Sequence, residues 1–154
     1  MDNELTTANQ ASIEKITNVS DAAKLNGVAK AAVEFYKAQE DMVAAQRAKE
    51  IYFRSARQAG FLLLSTPRDN GGPNSLHVKR VTKYQETLDG AGISPFISWT
   101  WQKLAIIKDG LFEQYLSEAK FEHTEYTING LLRYANSTHI QRKVCKFDPC
   151  GLRQ

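Results

Sequence analysis

From Ser20 to Thr66 the chain contains no proline, and Ser20 or Asp21 stands ready to cap a helix at the start of that stretch. A single helix filling it would be on the order of 60 Å long, well beyond the usual globular length, so another surface must cover its apolar side. That side repeats every 3.5 residues. With Val28 at position a, the a series is Val28, Phe35, Met42, Lys49, Ala56, Leu63, and the d series is Ala31, Ala38, Ala45, Tyr52, Ala59. The pattern predicts one long coiled-coil-like helix over 20–65, paired with a second copy of the chain as a homodimer. The alternative is that the stripe docks on helices further along the same chain.

Around this segment the chain divides by composition. Residues 1–19 are polar, with Ile13, Ile16 and Val19 as their only well-spaced apolar residues, and are expected to form a flexible arm ending in at most a short helix. The Gly, Pro and Asn cluster within 66–76 reads as a linker. Residues 77–136 carry short helical patterns at Val78 to Leu88, Ser94 to Ile107, Leu111 to Phe121 and Thr127 to Asn136. Residues 137–154 form a basic tail. No segment alternates with period two, so the fold class is all-α.

Composition narrows the function. A hydrophobic share of 42 % with 24 % charged residues belongs to a folded domain rather than a disordered one. The longest apolar run is Phe61 to Leu64, too short for a membrane span, and no leader opens the chain, so no membrane partner and a cytoplasmic place in a bacterial host cell are expected. Cys145 and Cys150 are the only cysteines, which excludes a disulfide framework. His139 alone lies near them, so no metal site is expected. His77, His123 and His139 stand beside no patterned nucleophile or carboxylate, and phosphate-binding glycine motifs are absent. The chain is therefore read as no enzyme, with no catalytic residues and no cofactor. Charge is uneven: residues 47–83 hold eight Lys/Arg against two acids, and residues 84–136 hold four against seven. A polyanion would meet the middle of the chain first.

Chemistry concentrates around Gly92. This glycine supplies a left-handed turn, Ile93 closes the corner, Ser94 caps a second helix and Pro95 occupies its first position. That is helix-turn-helix grammar. On the second helix Ile97 or Ser98, Trp101 and Leu104 are expected to face inward, and Phe96, Trp99, Thr100 and Lys103 outward.

At these residues the chain resembles a family of phage and prophage helix-turn-helix proteins, related to ParB-like domains and to regions preceding phage adenine methyltransferases. The carrying segments are AKEIYFRSARQAGFLL at 48–63, Gly92-Ile93-Ser94, SWTWQKLA at 98–105, FEQYLSEAK at 112–120 and TINGLLRYA at 127–135. The resemblance spans roughly Ala22 to Asn136. It implies a phage or mobile-element protein that binds DNA as a homodimer, in regulation or DNA maintenance. On that reading Ser94 and Thr100 would touch phosphate or base edges, Lys103 would touch phosphate, and Arg68, Lys79, Arg80 and Lys83 would hold the flanking backbone.

The chain departs from the family where the reading helix begins. Pro95, Phe96 and Ile97 stand where relatives carry basic and polar residues, and Trp99-Thr100 replaces Ser-Arg. Phe96 and Trp99 suit a hydrophobic contact with a protein, such as a host defence factor, unless they pack into the small core.

Overall fold

The computed structural model describes residues 12–68, 82–121 and 127–144, and every regular element among them is helical. The elements are α1 (Val19–Ala38), α2 (Met42–Ser65), α3 (Lys83–Ala91), α4 (Pro95–Ala105), α5 (Asp109–Phe121) and α6 (Ile128–Val144). No helix among the described residues is long and apolar enough to cross a membrane.

The long helix expected over 20–65 is two helices. After Ala38 the backbone reverses through Gln39, Glu40 and Asp41, with Glu40 in the left-handed region at φ 60°. The amides of Glu40 and Asp41 close the turn by donating to the carbonyls of Lys37 and Tyr36, at 3.1 and 3.0 Å. The Asp41 carboxylate then caps α2, accepting from the Ala44 amide at 3.0 Å. Reversal lets α1 cover α2 within one chain, which a solitary helix of that length would leave to a partner. The left-handed Glu40 costs about 1–2 kcal/mol, small beside the burial that the hairpin gains.

The hairpin is held by a stripe on α1 distinct from the heptad positions. Val19, Ala22, Asn26, Ala29 and Val33 are buried, at the 3- and 4-residue spacing of one helix face. The polar member is satisfied: the Asn26 side-chain amide donates to the Tyr52 carbonyl at 2.7 Å and to the Ser55 hydroxyl at 3.2 Å. The later part of the predicted seam, Ala45, Ala56, Ala59 and Leu63, is also buried, so the chain itself uses it. The earlier part, Val28, Phe35 and Met42, is exposed.

α2 is the central element, packing on α1 along one side and on α4 along another. The approach to α4 depends on Gly60. A Cβ there would lie 2.0 Å from the Trp101 carbonyl oxygen and 2.6 Å from its carbon, inside any allowed contact. This glycine therefore permits close helix packing, whereas from the sequence it reads as a loosening of the helix end.

The chain forms two compact units, dividing between Ile106 and Ile107. The expected 77–136 domain does not stand by itself, because α4 is packed into α2 while α5 and α6 belong to the second unit. In that second unit Phe112, Leu116 and Leu131 are buried, and the rings of Tyr115 and Tyr134 meet at 5.3 Å. Two further boundaries differ from the sequence reading. Ile13 and Val19 are buried, so the arm over 1–19 is partly anchored, and α6 runs to Val144, eight residues into the expected tail. Most of the 66–76 linker lies outside the described residues, as do Cys145 and Cys150.

Candidate interaction surface on the corner helix

The corner is built as its residues dictate. Thr82 caps α3, its hydroxyl accepting from the Gln85 amide at 3.1 Å. α3 ends at Gly92, whose φ of 65° is the left-handed conformation that glycine adopts without strain. The Gly92 amide donates to the Asp89 carbonyl at 3.1 Å and the Ile93 amide to the Leu88 carbonyl at 2.9 Å. Ile93 and Leu88 are buried beneath the turn. Ser94 then caps α4, accepting from the Ile97 amide at 3.3 Å, with Pro95 following.

α4 has two chemically different faces. Inward lie Ser98, Trp101, Gln102, Leu104 and Ala105. Ser98 and Gln102 form a buried polar node: the Gln102 amide donates to the Ser98 hydroxyl at 2.9 Å and to the Tyr84 hydroxyl at 2.6 Å. The Tyr84 and Ser98 hydroxyls are also hydrogen-bonded to each other. Arg68 completes the node by donating to the Gln102 carbonyl oxygen while its guanidinium stacks over the Tyr84 ring, 4.7 Å from the centroid. Burying such polar atoms is tolerable because each finds a partner.

Outward, the side chains at i, i+3, i+7 and i+10 form a stripe. Phe96 is 70 % exposed, Trp99 52 % and Ile106 71 %, with Lys103 exposed between the last two. Phe96 and Trp99 lie with ring centroids 6.1 Å apart, and the Lys103 ammonium sits 3.6 Å above the Trp99 ring. Ile97 is half-open beside them, at the margin of the stripe.

The residues expected to touch DNA separate under this geometry. Lys83, Ser94 and Lys103 are exposed, Ser94 being engaged as a cap and Lys103 on Trp99. Thr100 is buried, its hydroxyl donating to the Phe96 carbonyl at 2.9 Å, which removes it from the outer face it was expected to occupy. Arg68 is exposed as well, but its guanidinium is engaged by Gln102 and the Tyr84 ring. Lys79 and Arg80 lie outside the described residues. Phe96 and Trp99 stay outside the core. Sequence reasoning missed Ile106, although it lies within the helical pattern read over Ser94 to Ile107, three residues after Lys103 and seven after Trp99. It also missed the roles of Ser98 and Gln102, although their i, i+4 spacing on a largely apolar helix was a readable signal.

No group of three or more His, Cys, Asp or Glu side chains among the described residues is placed to hold a metal ion. Comparison of the chain with protein-family models, curated proteins and solved structures gives no match.

Proposed function

We propose that this chain is a binding protein whose contact element is α4, presented as an amphipathic helix to an apolar groove on another protein. The observation that carries the proposal is the outer stripe Phe96, Trp99, Lys103 and Ile106. Helices that dock into grooves use anchors at this spacing, and aromatic residues dominate such contacts. Electrostatics favours the same reading. A face meant for phosphate projects unengaged cations, whereas here the ammonium of Lys103 rests on an indole. The resemblance to phage and prophage proteins suggests a partner encoded by the bacterial host, a defence factor being one such class.

A second reading, binding of DNA by a homodimer, is favoured by one observation: the capped α3–Gly92–α4 corner with Lys83, Ser94 and Lys103 exposed around it. One pair of measurements separates the two. Affinity capture from a bacterial lysate is compared between the wild-type chain and the Phe96→Ala, Trp99→Ala double variant, beside a gel-shift titration with duplex DNA over a range of salt. A retained protein that the double variant loses, with Trp99 emission shifting blue in the purified complex, is the expected result. A duplex shift that falls steeply with salt, is unaltered in the double variant and weakens on Lys83→Ala or Lys103→Ala would overturn the protein-binding reading.

A further inference from the structure

We infer that the groove receiving α4 carries a carboxylate placed to meet Lys103, so that the partner presents an apolar floor with an acidic group inside it. This deepens the reading of α4 as a groove-binding helix and rests on it. What carries the inference is where the cation of the outer face stands. Lys103 lies four residues after Trp99 and three before Ile106, within the stripe rather than at its end. Its ammonium is 3.6 Å from the centre of the Trp99 ring. A partner that closes over Trp99 therefore closes over this ammonium as well.

The chain supplies no anion at that point. α4 contains neither Asp nor Glu, and no carboxylate among the described residues lies within ion-pair distance of Lys103. In the free protein the side chain is exposed, so water and the indole face share the ammonium. Closure of a groove removes the water. An indole face by itself does not replace a hydration shell, and a desolvated ammonium without a counter-ion opposes binding strongly. A carboxylate of the partner offsets that loss, and because Trp99 already holds the ammonium in one place, little side-chain freedom remains to be given up.

The same charge selects against other occupants. A groove lined wholly by apolar side chains would strand the ammonium. A second α4 laid on the stripe would bring another lysine and no anion. Lys103 is thus the specificity residue of a stripe whose aromatics supply the buried area.

The test uses the full chain and, as probe, the purified protein that the wild-type chain retains from a bacterial lysate and the Phe96→Ala, Trp99→Ala variant does not. Its affinity is titrated against Lys103→Arg, Lys103→Met and Lys103→Glu, each expected to keep the wild-type far-ultraviolet dichroism because the side chain is exposed. Lys103→Met, which keeps the stem and removes the charge, should weaken binding about thirtyfold, Lys103→Glu should weaken it further, and Lys103→Arg should be tolerated. A carbodiimide, which couples an amine to an adjoining carboxylate with loss of water, should link Lys103 to an Asp or Glu of the probe, read by mass spectrometry of the digested complex. Undiminished binding by Lys103→Met and Lys103→Glu, or no coupling at Lys103, overturns the carboxylate and leaves α4 as the contact helix. Should no protein depend on Phe96 and Trp99 for its retention, the reading of α4 itself fails and the carboxylate falls with it.

Discussion

The two faces of α4 differ in what fixes their chemistry. The inner face is fixed by packing: Ser98, Trp101, Gln102 and Leu104 are buried, and Gly60 on α2 lets Trp101 approach. The outer face is exposed, with aromatics at 96 and 99 and a lysine that rests on an indole. Packing constrains the inside of such a helix, and only a partner constrains the outside.

The largest expected effect is the stability contrast across α4. Leu104→Ala removes a fully buried side chain and should lower unfolding stability in urea by about 2–5 kcal/mol, whereas Phe96→Ala should change it by less than about 0.5 kcal/mol. Similar losses from both would mean that the outer aromatics belong to the core. Gly60→Ala comes next. It places a methyl group against the Trp101 carbonyl and should cost about 1–3 kcal/mol, even though alanine is the better helix former. A stabilised variant would show that α2 and α4 are not in close contact.

The smallest effect concerns the hairpin and is seen only at high pH. Burial pushes the Tyr52 hydroxyl above its ordinary value of 10.0. Its proton is therefore held more tightly folded than unfolded. The resulting stability is whole below the unfolded value and is lost as pH rises through the folded one. Thermal melts should thus fall more steeply above about pH 10 for the wild-type chain than for Tyr52→Phe. Equal slopes would show that Tyr52 ionises as freely as an exposed tyrosine.

The corner around Gly92 was readable because each of its residues acts locally. Gly92 takes the left-handed turn, Ser94 caps the next amides and Ile93 fills the angle, all within a few positions. The reversal after Ala38 was not readable in the same way. Gln39 and Glu40 are ordinary helix residues, and Glu40 adopts a conformation that glutamate disfavours. The one local signal was Asp41, which caps α2, and the 3.5-residue repeat running across it masked that signal. The repeat is real on both sides of the turn, but folding splits it into an exposed part on α1 and a buried part on α2. Thr100 shows a finer limit. Its position on the helix circle borders both faces, and only the packing of α4 decides that its hydroxyl turns back to the Phe96 carbonyl.

By itself the sequence determined that the chain is helical, where the Gly92 corner falls, and that α4 carries aromatics on the side away from Trp101. These follow from helix periodicity and from the conformational preferences of a few residues. Tertiary structure alone decided that 20–65 folds back on itself, that Gly60 serves a close approach, and that Arg68 is held by Gln102 and Tyr84. Each of these depends on groups distant along the chain meeting in space, where the gain from burial outweighs a local preference that, read alone, points elsewhere.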